Sequence, residues 1–377
     1  MIKGGTGVFG QYAGRRKRFI TPSAWQPNPV TMNRSVFPAL PFFAMLIPGL
    51  VLVSPAAQSG VFAFAELLGE PATITHPSGY TGAAGLLEVT VCIDPSSESK
   101  SELEVAIHNS IRLWNGLEPE IGNATLAPES GVPSNKVDAE SVLLHELGHC
   151  LGLGHPNLAS ESGLSGDNRR FAKSLSGNGP DNGYTLDRGA DGIIATAADS
   201  RGNDINLHWF RKSNNDPFTI ATTVDATTYS NDLADLPSGH QFATVAGAQV
   251  SQSQGLERSE AVMHQGIHYG EKRCGLGHDD AAMIRLGMAG TDRTAGTDTD
   301  YELKLVFVGE SSDCDINVKM GGSSFAYCSI SGGMIAPNHW AINAAQIRMA
   351  SSSLINWHFN DEREGDSMFR DSFSSSN

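Results

Sequence analysis

The chain has 377 residues, a formal net charge of −15 and five cysteines, and its 40% apolar content excludes disorder along the whole length. The charge is uneven: residues 1–57 contain six Lys or Arg and no acid, whereas residues 58–377 contain 20 bases and 41 acids, a net charge of −21. Such an acidic body repels nucleic acid and anionic membranes, so we expect neither as a partner.

The basic head predicts an export signal. Residues 36–53 carry no charge, but their three prolines argue against a stable membrane span. Small residues follow, so residues 1–65 are interpreted as a secretory signal peptide region with cleavage near Ala57 or Ala65. The distance from the chain start to the apolar run favours Met32 as the translation start, as a hypothesis. The mature protein is expected to be secreted, extracellular or periplasmic; a retained membrane anchor is the alternative.

Export would permit disulfides, and an odd number of cysteines leaves at least one free or paired between chains. Cys314 and Cys328 are the best intrachain pair, because they lie 14 residues apart in a strand-rich region. Cys150 falls inside a helical pattern and is interpreted as a small apolar filler.

A strand and two helices are the first predicted elements of the mature chain. Residues 85–94 alternate apolar and polar side chains and end before a proline, which is typical of a strand. Apolar residues recur at helical spacing over residues 101–115, and we name this segment helix A. Asp138 is placed as the N-cap of a second helix, which is expected to end at Gly152.

The rest of the chain is punctuated by polar, glycine-rich segments. Residues 157–257 are a long polar stretch, and a short helix is predicted at residues 279–288. Residues 291–300 are a linker by composition. Alternation over residues 301–361 predicts a small antiparallel β module, followed by a polar tail at residues 362–377. These elements indicate an α+β protein.

The second helix carries the residues with the clearest chemistry, in the sequence HELGHCLGLGHP. His145 and His149 are four residues apart, so their imidazoles project from one helix face at a spacing that suits two zinc ligands. Gly152 lets the backbone turn and bring His155 back as a third ligand. Three protein ligands leave a position open for water, which is typical of a catalytic zinc site.

Glu146 lies one residue after the first histidine and points about 100° around the helix axis, away from the ligand pair. From there it can reach a metal-bound water as the general base. The five fixed residues of H-E-x-x-H-x-x-G-x-x-H arise by chance in a chain of this length with a probability on the order of 10⁻⁵. Histidines that are merely buried or solvated are the competing interpretation.

This extended motif resembles that of the metzincin zinc peptidases, and the resemblance covers about residues 85–157 and 259–290. It implies a metzincin-like catalytic domain at residues 66–290 with an abbreviated mixed sheet, helix A, the zinc helix, a methionine turn and a C-terminal helix. Residues 259–264 resemble the methionine turn, which makes Met263 its candidate. Residues 276–280 resemble the start of the matrixin C-terminal helix.

Three departures from the metzincin pattern stand out. The span from residue 115 to 138 is shorter than in matrixins, so the edge strand that pairs with substrate is either missing or supplied by another segment. The long insert at residues 157–257 is either a lid or specificity subsite, or a surface elaboration. Gln265 stands where astacins and serralysins have a tyrosine. Apart from these departures, Pro156 after the third histidine makes the motif closer to serralysins than to matrixins.

The resemblance implies a secreted zinc-dependent endopeptidase that acts on protein or peptide substrates with a zinc-activated water. Two alternatives remain open: a surface binding or adhesion protein with a vestigial protease domain, and a zinc hydrolase of non-peptide bonds. The acidic body leads to the hypothesis that neutral or basic peptides are preferred at low salt. Four aspartates lie in glycine-rich loops: Asp187, Asp191, Asp199 and Asp204. They could bind calcium, but solvated turn residues are the favoured interpretation of them.

Overall fold

A computed structural model describes residues 59–68, 70–156, 209–213, 220–235, 248–253, 257–264 and 266–363. The predicted start at Met32, the cleavage position near Ala57, the four loop aspartates, Gln265 and most of the 157–257 insert lie outside the described residues. None of the described helices is long and apolar enough to cross a membrane.

Five α-helices and a short 3₁₀ helix are described. The helices are α1 (Ala63–Leu68), α2 (Lys100–Gly116), α3 (Ala139–Cys150), α4 (Ala248–Ser253) and α5 (His278–Met288), and the 3₁₀ helix is Leu233–Asp235. The predicted helix A is α2, the predicted helix after Asp138 is α3, and the predicted short helix is α5. All three form where apolar residues recur at helical spacing.

The strands range from two to eleven residues. They are β1 (Ser59–Gly60), β2 (Ile74–His76), β3 (Gly85–Ile93), β4 (Ala124–Leu126), β5 (Val137–Asp138), β6 (Trp209–Arg211), β7 (Tyr229–Ser230), β8 (Glu271–Arg273), β9 (Tyr301–Glu310), β10 (Ile316–Met320), β11 (Ala326–Ala336), β12 (His339–Met349) and β13 (Trp357–His358).

One mixed, mostly parallel sheet organises the described part of the chain. Its strand order is β11-β12-β10-β3-β9, and β2 also pairs with β12. The pairs β3 with β9, β3 with β10, β10 with β12 and β2 with β12 are parallel, and only β11 with β12 is antiparallel. The molecule is therefore α+β with parallel strands at its centre.

The main core lies between this sheet and the long helices. Helix α2 packs on β3 and β9, α3 packs on α2, β11 and β12, and α5 contacts β2 and β9. Strand β9 shows the two faces clearly, because Leu303 and Leu305 are buried while Glu302 and Lys304 are exposed. Trp114 joins the two large helices by donating from Nε1 to the Leu144 carbonyl at 3.1 Å.

Residues 301–361 do not form the separate antiparallel module that their alternation predicted. Strand β9 pairs in parallel with β3 in the register Leu303 to Leu87, and β10 pairs in parallel with the same strand in the register Ile316 to Val91. The segment belongs to the same compact unit as α3, the helix that carries His145 and His149, so the predicted linker at 291–300 is not a domain boundary. Alternation identifies strands but not their partners, which here lie about two hundred residues apart.

The cysteine pairing also differs from the prediction. Cys92 is bonded to Cys314, and Cys150 is bonded to Cys328. Cys150 is therefore a disulfide partner and not an apolar filler, and Cys328 pairs across 178 residues instead of 14. Cys274 is the free cysteine, which fits the odd count. Separation along the chain misled the prediction, because the fold brings Cys150 at the end of α3 next to Cys328 on β11, and Cys92 on β3 next to Cys314.

Candidate metal centre

Helix α3 places the first two histidines of the motif. Its N-cap is Asp138, whose carboxylate accepts hydrogen bonds from Ser141 N–H at 3.0 Å and from the Ser141 hydroxyl at 2.6 Å. His145 and His149 follow on one face of the helix, one turn apart. The rings meet edge to face, with centroids 4.7 Å apart. The predicted cap and the predicted spacing are both confirmed.

The turn after α3 brings His155 back to the pair. Gly152 has φ +104°, a left-handed conformation that favours glycine, and a Cβ there would lie 2.8 Å from the Thr75 carbonyl oxygen. Gly152 N–H donates to the His149 carbonyl at 3.0 Å. As a result, His155 Nε2 lies 3.1 Å from His149 Nε2. One ligand nitrogen from each of the three histidines lies within 4.8 Å of the others.

Each imidazole is oriented by an oxygen acceptor at its outer nitrogen, Nδ1. The acceptors are the Val262 carbonyl for His145 at 2.7 Å, the Leu153 carbonyl for His149 at 2.8 Å, and Glu66 Oε1 for His155 at 3.3 Å. These oxygen acceptors place a proton on each Nδ1, so Nε2 is the nitrogen that each ring turns inward.

The donor set fits a metal ion on physical grounds. His149 Nε2 and His155 Nε2 lie 3.1 Å apart, and a cation near them could be bound by both nitrogens. Burial, with the neighbouring imidazoles, lowers the pKa of His145 well below its usual range, and burial lowers the pKa of His149 to about 4. Both rings are therefore neutral and able to bind metal at ordinary pH. The His145, His149 and His155 group could hold a metal ion.

Glu146 is buried beside this group. Its side chain is 5% exposed, and Oε2 has no hydrogen-bond partner among the described residues. Burial raises the pKa of Glu146 to about 7, while the charge of His155 and the backbone N–H of Cys328 act in the opposite direction. A buried carboxylate with an unpartnered oxygen next to a metal-ligand group is well placed to accept a proton from a bound molecule.

The segment with Met263 lies against the zinc-motif helix, where a methionine turn was predicted. Met263 is 2% exposed, and its sulfur would lie only 2.2 Å from a Cβ placed on Gly148. A buried carboxylate and a buried guanidinium hold the turn from two sides. Asp280 accepts from Val262 N–H at 2.6 Å and Met263 N–H at 3.2 Å, and Arg273 donates to the Val262 carbonyl at 2.8 Å.

The structure thus brings together every site residue predicted from the sequence, namely His145, Glu146, His149, His155 and Met263. It adds four that the sequence did not single out: Glu66, Gly148, Arg273 and Asp280. Glu66 was missed because it lies 89 residues before its histidine, at the predicted edge of the signal region. The chain offers no local pattern that marks such a partner. Gly148 is the only one of the four that lies inside the motif, so the sequence could have drawn attention to it.

Searches against protein-family models, curated proteins and solved structures found no match to this chain.

Proposed function

We propose that this chain is a zinc-dependent endopeptidase of the metzincin type. One observation carries the proposal: three imidazoles, each held by an acceptor at Nδ1, converge on one point beside the buried carboxylate of Glu146. Metal-binding histidines oriented in this way are typical of catalytic sites, where the chain supplies three ligands and leaves one position open.

Zinc is the metal that this donor set favours, since three neutral imidazoles without a thiolate are its usual catalytic ligands. His145, His149 and His155 would hold it. Bound there, zinc would act as a Lewis acid on the substrate carbonyl and would lower the pKa of water from 15.7 to about 7.

Glu146 performs the proton transfers in this proposal. Its carboxylate takes a proton from the attacking water and passes it to the amine of the leaving product. Both of these roles need a carboxyl group that is shielded from bulk water, and burial of Glu146 supplies that shielding. The methionine turn packs beneath the helix and keeps Val262 in place as the acceptor for His145.

Strand β11 offers an edge for an extended substrate. It is the terminal strand of the main sheet, and it packs against α3. We propose that β11 pairs with the substrate backbone, so that the edge strand is supplied by a segment after α5.

Export is part of the same proposal. Two disulfides support it, because disulfides persist in oxidising compartments. Ser59 and Gly60 form β1, and Ala65 is fully buried within α1. A cut near Ala57 would spare this packing, whereas a cut after Ala65 would remove part of it. Of the two predicted cleavage positions, the fold favours the one near Ala57.

Replacement of the general base tests the proposal directly. We expect Glu146→Gln to bind one zinc per chain but to cleave casein about 10²- to 10⁴-fold more slowly, because the amide cannot accept the water proton. The measurements are zinc content by atomic absorption and the initial rate of casein cleavage. Glu118→Gln is the matched control, since Glu118 is exposed at the end of α2.

Wild-type cleavage rates in Glu146→Gln would contradict the assignment of the base. A chelator gives a separate check of the metal: 1,10-phenanthroline should abolish cleavage by the wild-type protein, and added zinc should restore it. Cleavage that is indifferent to the chelator would remove zinc from the proposal.

A further inference from the structure

We infer that Glu66, on helix α1, is a positioning residue that holds His155 as the third metal ligand and thereby sets the metal affinity of the site. This inference rests on the proposed function, in that it needs a metal at the three histidines. It extends that function to a carboxylate far outside the motif.

Both oxygens of Glu66 bind the same residue. Oε1 lies 3.3 Å from His155 Nδ1, and Oε2 accepts the backbone N–H of His155 at 2.9 Å. The first contact fixes the ring orientation and the tautomer, and the second fixes the main chain from which the ring projects. The two partners are largely shielded, with side chains 19% exposed for His155 and 17% for Glu66.

Glu66 differs in kind from the other outer partners. His145 and His149 are oriented by backbone carbonyls, which are neutral. His155 is oriented by a carboxylate, and a charged acceptor makes the imidazole a more basic and stronger ligand. His155 is also the ligand that lies outside the helix, where no helical backbone fixes it. The charged partner, Glu66, therefore orients the one histidine that is not held by helix α3, namely His155.

The segment around Glu66 is anchored to the turn that carries His155. Ala63 N–H donates to the Gly152 carbonyl at 2.8 Å, and Gly154 N–H donates to the Val61 carbonyl at 2.7 Å. Phe64 N–H donates to Thr75 Oγ1 at 2.9 Å. These bonds fix α1 in a position from which the Glu66 carboxylate reaches His155, so little conformational entropy is lost when the contact forms.

Gly154 is shaped to this arrangement. A Cβ on Gly154 would lie 2.4 Å from Glu66 Oε2 and 3.2 Å from Val61 Cγ1. The carboxylate therefore occupies the space that any larger residue would take. This explains a glycine that the extended zinc motif does not require, directly before the third histidine.

Zinc affinity of purified variants tests the inference without any use of activity. We expect Glu66→Ala to weaken zinc binding about 10- to 100-fold, the usual loss when an outer partner of a ligand is removed. The measurement is competition with a chromogenic chelator on the full mature chain. Glu70→Ala is the matched control, because Glu70 is exposed and lies four residues further on, and it should bind zinc as the wild type does.

Two further variants separate orientation from general stability. Glu66→Gln can still accept from Nδ1 but not with both oxygens, so its affinity should lie between those of wild type and Glu66→Ala. Gly154→Ala keeps Glu66 but displaces its carboxylate, so it should weaken zinc binding in the same direction. In the cobalt-substituted protein, the visible absorption of Glu66→Ala should change, whereas that of Glu70→Ala should match wild type.

The outcomes distinguish the inference from the proposed function. If wild type binds one zinc and Glu66→Ala binds it equally well, the role of Glu66 is refuted and the zinc site stands. If wild type binds no zinc at the three histidines, the proposed function fails and the inference fails with it. Should Glu66→Ala not fold, wild-type affinity in both Glu66→Gln and Gly154→Ala would equally refute the inference.

Discussion

At the scale of single residues, the absence of a side chain at Gly148 is as informative as the histidines around it. Gly148 fills the second variable position of the first half of the motif, and Met263 and Trp114 press against it from two sides. A Cβ would meet the Met263 sulfur at 2.2 Å and Trp114 at 2.9 Å. The glycine therefore lets the turn beneath the site approach the helix closely, and this approach brings the Val262 carbonyl to His145.

A second histidine pair, remote from the motif in sequence, couples stability to pH. His76 and His339 are almost fully buried, with His76 Nε2 2.9 Å from His339 Nδ1. Tyr80, Tyr301 and Arg293 face the pair, and Asp292 acts on it at longer range. Burial lowers the pKa of His76 to about 3 and that of His339 to about 4.

The sign of the pH effect follows from these shifts. Because the folded pKa values lie below the unfolded value of about 6.5, the folded protein binds fewer protons. The stabilisation is fully present above pH 6.5 and is lost as the pH falls toward 4. Each histidine should contribute about 1.4 kcal/mol per pH unit to the slope in that window. We therefore expect His339→Gln to show a shallower fall in unfolding free energy between pH 6.5 and 5.

Urea unfolding at a series of pH values measures this slope. Gln346→Ala is the matched control, since Gln346 is exposed on the same strand as His339 and does not titrate, and its slope should equal that of wild type. An unchanged slope in His339→Gln would show that the pair does not carry the effect.

Residue-scale prediction from sequence succeeded where the chemistry is local. Five residues within one helix and its following turn define the histidine site, so spacing alone placed His145, His149 and His155 together. The outer partners could not be predicted in the same way. Glu66 and Val262 lie 89 and 117 residues from the histidines they orient, and only the folded chain brings them there.

At the scale of elements, the link between α3 and β11 joins the candidate catalytic helix to the edge of the sheet. Cys150 is the last residue of α3, and it forms a disulfide with Cys328. Cys328 lies near the start of β11, so the bond holds this end of the strand beside the helix that carries Glu146. The backbone N–H of Cys328 acts on the Glu146 carboxylate. The disulfide thus holds together Glu146, the proposed general base, and the strand that we propose for substrate pairing.

Removal of this link should affect both stability and activity. We expect Cys150→Ala combined with Cys328→Ala to lower the unfolding free energy by about 2–5 kcal/mol, because the bond closes a long loop in the unfolded chain. We also expect slower peptide cleavage, since β11 loses its tether next to Glu146. Denaturant unfolding and cleavage rates well below the melting temperature measure the two effects.

The second disulfide provides the control. Cys92 and Cys314 join β3 to the segment before β10, and two strands separate β3 from β11 in the sheet order. Their double alanine variant should lose stability to a similar extent but keep its cleavage rate per folded molecule. Equal losses of cleavage rate in the two variants would show that the disulfide between α3 and β11 affects activity only through overall stability.

The elements themselves were more predictable than their arrangement. Apolar periodicity located β3, α2, α3 and α5 to within a residue or two, because it depends on neighbours along the chain. The parallel pairing of β3 with β9 depends on contacts across more than two hundred residues, to which periodicity does not respond. The prediction of an isolated antiparallel module failed for this reason.

At the scale of the whole molecule, the uneven charge leads to a prediction about the substrates of the proposed peptidase. Residues 58–377 contain 41 acids and 20 bases, and the candidate metal centre lies on this acidic part of the chain. A field of this sign attracts cations over long distances, and salt screens it. The Debye length is about 30 Å at 0.01 M salt and about 8 Å at 0.15 M, so the effect belongs to low ionic strength.

Peptide pairs of opposite charge test this steering. For two peptides with the same cleaved bond and either basic or acidic flanks, we expect kcat/KM to be about tenfold higher for the basic peptide at 0.01 M salt. The ratio should fall toward one at 0.15 M salt, because screening removes attraction and repulsion alike. A neutral peptide of the same length is the control and should respond little to salt. Equal kcat/KM values for both charged peptides at 0.01 M salt would show that the acidic body does not steer substrates. A preference that persists at 0.15 M salt would instead place the selectivity in contacts close to the cleaved bond.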